Sequence, residues 1–129
     1  LIEQIPLEDG CAEEIEAIHV IEHFQRYNVD AVLEEFRRLL AKKGRLVLEL
    51  PNLRAAAWNL LNGGDKRSSL DAIYGSDKDD GTFMSHLYGY TPESLAKLLG
   101  EHEFKHIHVM EPQTHGKRLH RDMRFEARK

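Results

Sequence analysis

The segment IHVIEH, Ile18 to His23, sets His19, Glu22 and His23 in the spacing H-x-x-E-H. On a helix, positions i, i+3 and i+4 share one face, so two imidazoles and a carboxylate could hold a zinc ion and act on its bound water. At a strand end the same side chains would diverge, and they would either terminate the strand with local hydrogen bonds or face a ligand at the rim of the sheet. Ile15, Ala17, Ile18, Val20 and Ile21 are mostly β-branched and predict a short buried strand over roughly Ile15 to Val20. A strand end is therefore the expected setting. A catalytic zinc also needs a third protein ligand, which no second motif identifies, so no metal is expected.

The elements that must position these residues follow from periodicity. Val32, Leu33, Phe36, Leu39 and Leu40 recur at helical spacing, with Asn28 or Asp30 as candidate cap and Lys42, Lys43 and Gly44 as the stop. RLVLEL, Arg45 to Leu50, reads as a strand that Pro51 ends. Strand, helix, strand with short connections predicts a parallel pair with a right-handed crossover. In open α/β sheets ligands gather outside the carboxyl ends of the strands, so His19 to His23 and Pro51-Asn52 should share a rim.

LRAAAWNLLN predicts a helix around Leu53 to Leu61. Asn62 to Gly89 reads as irregular, a lid, a binding loop or a disordered segment, with Tyr74 to Tyr90 expected to be weakly ordered without ligand. TPESLAKLLG predicts a helix capped by Thr91, with Pro92 first and Leu95, Leu98 and Leu99 buried. Phe104 to Met110 and Met123 to Ala127 predict two closing strands around a long loop. The whole reads as one α/β domain, residues 1–129, with an antiparallel finish.

Composition narrows the class. Hydrophobic residues make up 41% and charged residues 31% of 129, an ordinary balance for a domain with a real core. No apolar run approaches the ~20 residues that cross a bilayer, so no membrane partner is expected. Cys11 is the only cysteine, which excludes an internal disulfide and CxxC metal sites and points to a reducing, cytoplasmic compartment. With a net charge of −4, nucleic acid is not an expected partner. The charge is uneven: six Lys or Arg against two acids from His115 to Lys129 suggest a solvated, charged hairpin, or alternatively a phosphate contact. LIEQIPLEDG does not look like a natural beginning, and a fragment is expected.

IPLEDGCAEEIEAIHVIEHF followed by EEFRRLLAKKGRLVLELPN resembles the middle of class I S-adenosylmethionine-dependent methyltransferases, of the type called methyltransferase domain 11. HLYGYTPESLAKLLGEHEFKHIHV is similar to that family's closing helix and sixth strand, and RDMRFEARK to its seventh. The resemblance implies a Rossmann-like sheet equivalent to strands four to seven, mostly parallel with an antiparallel last strand. The amino-terminal strands and the glycine-rich loop have no counterpart in this sequence. It implies S-adenosylmethionine as cofactor, near Pro6, Leu7, Asp9, His19, Val20 and Glu22. It places the acceptor near Asn52, His86 and Tyr90, and offers His19, His23 and His86 as candidate bases. Lys43 and Glu103 stand where the family often has glycine.

Two other classes compete with methyl transfer to an unidentified acceptor. A non-catalytic binding or assembly module of the same fold would form a homo-oligomer through its exposed sheet edge. An H-x-x-E-H zinc hydrolase is the other.

Overall fold

The computed structural model describes residues 4–77 and 83–129. Strand β1 (Ala12–Ile18) is followed by a 3-10 turn (Ile21–His23), helix α1 (Arg26–Leu39) and strand β2 (Leu40–Pro51). Helices α2 (Leu53–Leu61) and α3 (Lys66–Tyr74) come next, then the short strands β3 (Gly75–Asp77) and β4 (Phe83–Ser85). Helix α4 (Pro92–Glu101) and strands β5 (Lys105–Met110) and β6 (Asp122–Arg128) close the chain. The main sheet has the order β1-β2-β6-β5, while β3 and β4 form a separate antiparallel pair. β1 runs parallel to β2, and β6 runs antiparallel to both of its neighbours. Three strands thus share one direction and the last is reversed, as the β-α-β spacing and the antiparallel finish predict.

The two sheet faces differ because residues alternate. Leu46, Leu48 and Leu50 of β2 and Met123, Phe125 and Ala127 of β6 point to one side, into a cluster with Val29, Val32 and Leu33 of α1 and Leu95, Leu98 and Leu99 of α4. The intervening positions carry a charged ladder. Arg45 bridges Glu14 (2.5 Å) and Glu126 (3.4 Å), and Arg124 bridges Glu126 (3.4 Å) and Glu49 (3.3 Å). The basic carboxyl-terminal hairpin is therefore not simply solvated: Arg121 and Arg124 are buried.

Several local expectations are corrected. β1 spans Ala12–Ile18 and stops before Val20. α1 starts after an extended Gln25, so Asn28 and Asp30 lie inside the helix. Asp30 instead accepts from Arg26 (3.1 Å) and pairs with His102 (2.9 Å). α1 ends at Leu39, and the pairing slips from Ala12↔Leu40 to Glu14↔Arg45, so the Lys43-Gly44 turn falls within the irregular start of β2. Lys43 and Glu103 have φ of 64° and 60°, the left-handed backbone for which glycine is the low-cost residue.

The stretch read as irregular holds α3, β3 and β4. Asp65 caps α3 by accepting from the Ser68 N–H (3.1 Å), and Gly75 (φ 90°) ends it. A Cβ at Gly75 would stand 1.8 Å from the Met84 carbonyl oxygen, so the β3–β4 pairing needs glycine there. The expectation of weak order across Tyr74 to Tyr90 falls partly on residues 78–82, which lie outside the described residues. α2 and α4 match expectation, and α4 carries a full Thr91/Ser94 capping box.

Candidate functional site: the lip of strand β1

The chain leaves β1 through a sharp bend. The His19 N–H still donates to the Glu49 carbonyl (2.7 Å), which continues the β1–β2 ladder, but His19 itself has φ 52°. A non-glycine residue held in that region costs about 1–2 kcal/mol, strain of a kind that gathers at functional sites. Val20 stays partly exposed, and the 3-10 turn buries Ile21 and Glu22. IHVIEH is thus neither one helix nor an extended strand end.

The bend brings His19 Nδ1 to 3.0 Å from Glu22 Oε1. Glu22 is 1% exposed, and its Oε2 has no hydrogen-bond partner among the described residues. His19 Nε2 is also buried and unpartnered, 3.9 Å from Asp122 Oδ2, while the His19 ring meets that of His115 edge-on at 4.9 Å. If Nδ1 carries the proton and donates it to Glu22, Nε2 is left as a proton acceptor held in one orientation.

His23 leaves the same turn in another direction. Its Nδ1 lies 2.9 Å from the Ser85 carbonyl oxygen. His86, just past β4, places its own Nδ1 2.8 Å from the Ala72 carbonyl oxygen at the end of α3, and its N–H donates to Tyr74 O (3.0 Å). The two rings meet edge to face at 4.9 Å. Burial draws the His86 imidazole below its ordinary value, against the opposing pull of its Ala72 bond and of Glu22. The Glu22 carbonyl accepts from both Leu87 N–H (2.7 Å) and Tyr88 N–H (3.3 Å), which fastens this loop to the 3-10 turn.

Buried charges stand at the neighbouring strand ends. Glu49 is fully buried and accepts from the Gln113 N–H (2.9 Å), the Thr114 N–H (2.9 Å), the Thr114 hydroxyl and Arg124 (3.3 Å). Burial pushes its carboxyl up, but these donors outweigh it and hold the group below the usual range. Asp122 accepts from Arg118 (3.1 Å) and Arg121 (3.0 Å). Glu49, His115 and Asp122 were not singled out from sequence; a lone acid inside the apolar run RLVLEL was the available signal for Glu49.

Among the residues expected at the site, His19, Val20, Glu22, His23 and His86 come together. Pro6, Leu7 and Asp9 do not join them, because β1 runs between them and the lip. Arg38 takes Asp9 (2.6 Å) and the Leu7 carbonyl (2.9 Å) at the other end of the strand. Asn52 uses its side chain to cap α2, accepting from Ala55 N–H at 3.1 Å. It also lines a cavity of about 470 Å³ with Arg54, Trp58, Asn59, Leu119 and His120. Tyr90 is core, 1% exposed, with a hydroxyl that has no hydrogen-bond partner among the described residues and whose pKa burial pushes up to about 12.

A sequence model of the methyltransferase domain matches residues 8–109. The chain belongs to the methyltransferase domain family. No curated protein sequence matches it. Among solved structures, a methyltransferase of Methanosarcina mazei superposes over 97% of this chain and 62% of its own, with a TM-score of 0.65 at 15% identity. One from Archaeoglobus fulgidus superposes over 95% and 62%, at 0.61 and 14%. The 1,6-didemethyltoxoflavin-N1-methyltransferase of Burkholderia thailandensis, solved with bound 1,6-didemethyltoxoflavin and S-adenosylhomocysteine, superposes over 96% and 47%, at 0.60 and 15%. The chain therefore spans less than two thirds of the length of these structures, and at such identity the likeness is one of fold.

Proposed function

We propose that this chain forms the acceptor-side wall of an S-adenosylmethionine-dependent methyltransferase site, with His19 as general base. On this reading β1, β2, β5 and β6 are equivalent to the family's strands four, five, six and seven. The observation that carries the proposal is the His19–Glu22 pair at the lip of β1, 3.0 Å apart with Glu22 buried. Family membership supplies the class of chemistry.

The residues present fit one side of the cofactor. Val20 offers an apolar surface 36% exposed, and at the same bend His19 Nε2 is buried without a hydrogen-bond partner among the described residues. The reading does not rest on Pro6, Leu7 or Asp9; Arg38 engages the Leu7 carbonyl and the Asp9 carboxylate at the other end of β1. When bound, S-adenosylmethionine supplies a methyl group already activated by its sulfonium. The protein then has to align the acceptor, exclude water and receive a proton from an O–H or N–H nucleophile. Glu22 orients the His19 imidazole and stabilises it once protonated, while Asn52, beside the α2 cavity, lies where an acceptor could rest. A reducing, cytoplasmic setting is consistent with the single exposed Cys11.

Isothermal titration with S-adenosylmethionine and S-adenosylhomocysteine tests this. Saturable heat from both, weakened in Val20→Asp, is the expected result. Neither heat nor thermal shift at millimolar ligand would transfer the chain to the second reading, a non-catalytic assembly module. That reading has one observation behind it: β1 is an outer strand of the main sheet, so its free edge could pair with a second copy.

A further inference from the structure

We propose that Glu22, His23 and His86 form a binding site for a divalent transition-metal ion of the zinc class. A carboxylate oxygen of Glu22 and one ring nitrogen from each histidine all lie within 4.8 Å of one another. In a tetrahedral site with metal–ligand bonds of about 2.0–2.1 Å, such atoms stand about 3.4 Å apart. Binding an ion would draw the three atoms together to that spacing.

Three independent features fit this use. First, both imidazoles are anchored through Nδ1, His23 to the Ser85 carbonyl and His86 to the Ala72 carbonyl. A carbonyl only accepts, so Nδ1 must carry the proton and each Nε2 keeps its lone pair. Carbonyl bonds of this kind fix the tautomer and direction of histidines that ligate metals. Second, Glu22 is 1% exposed yet its Oε2 has no partner among the described residues. A buried carboxylate oxygen left unpaired is costly, and a cation would satisfy it. Third, Glu22 Oε1 is already held by His19 (3.0 Å), so the carboxylate is positioned before any ion arrives.

Two imidazoles and one carboxylate form a donor set that suits zinc and its neighbours and not magnesium, which prefers oxygen throughout. Three protein ligands leave at least one position for water or an oxygen of another ligand. The set differs from the one H-x-x-E-H suggests on a helix. His19 turns away to orient Glu22, and its place is taken by His86, 63 positions beyond His23 in the chain. The separation explains why no third ligand was visible in the sequence.

The test uses zinc alone, with no cofactor, so its outcome is independent of the methyltransferase reading. Titration calorimetry should show one zinc per chain, and cobalt(II) should give visible absorption bands of a low-coordinate nitrogen–oxygen site. His23→Asn and His86→Asn keep an amide donor for the carbonyl each histidine holds. Each should weaken zinc by at least about tenfold, whereas His108→Ala on the exposed β5 strand should leave it unchanged. Absence of saturable zinc binding by the parent overturns the proposal. So does parental affinity in both asparagine variants, which would mean surface histidines bind the ion. Circular dichroism melts identify a variant that fails to fold, and the cobalt spectrum of the parent then decides.

Discussion

Glu49 and Arg124 are register partners across the β2–β6 ladder, and Arg124 Nη1 stands 3.3 Å from Glu49 Oε2 with both side chains buried. The same carboxylate accepts the Gln113 and Thr114 backbone N–H groups, so one acid ties two strands and the 111–121 loop together. Removing one partner of such a pair leaves a buried charge exposed to its own desolvation cost. Arg124→Leu should therefore destabilise the fold by about 3 kcal/mol, read as a lowered denaturation midpoint.

The same group gives the protein an acid limit. Its folded pKa lies below the ordinary 4.5, so the stability it contributes is fully present above about that pH. As pH falls through the lower folded value, the proton binds the unfolded chain more readily and that stability is lost. A melting temperature that falls below pH 4.5 in the parent, and falls less in Glu49→Gln, is the expected pattern.

Lys43 and Glu103 pay for left-handed backbone at φ 64° and 60° with exposed side chains. Glycine at either position should raise stability by up to about 1 kcal/mol. The two lie in different turns, so the gains should add. Chemical denaturation of the single and double variants measures this directly.

Gly75 should tolerate nothing larger. Its φ of 90° and the 1.8 Å approach a Cβ would make to the Met84 carbonyl predict a loss of about 2–3 kcal/mol for Gly75→Ala. Because His86 follows β4 immediately, that variant should also disturb the His86 ring, visible as a shifted imidazole resonance.

If His19 takes the acceptor's proton, His19→Ala should slow methyl transfer by about a hundredfold. Equal activity in His19→Ala would mean the acceptor needs no base.

Much of the fold could be read from spacing and caps. α2 starts and ends where LRAAAWNLL does, and α4 follows from Thr91, Pro92 and its leucines. α3 could not be read the same way, because KRSSLDAIY has no broad apolar stripe and buries only Ser69 and Ala72. It is held by a polar latch, Asn59 Nδ2 donating to Ser69 Oγ (2.7 Å) and to the Asp65 carbonyl (3.2 Å), which periodicity cannot register. At the site, local spacing gave His19, Glu22 and His23. Their division into one pair and one converging group depends on a left-handed His19 and on a loop 63 positions away, both tertiary effects.

Glu22 serves the lip twice, by separate parts of its structure. Its peptide oxygen clasps the 87–88 backbone, whereas its carboxylate addresses the imidazoles. Scaffold and chemistry are therefore divisible at a single residue. An isosteric amide at position 22 would silence the charge yet leave the clasp, and the neighbouring loop, where they stand.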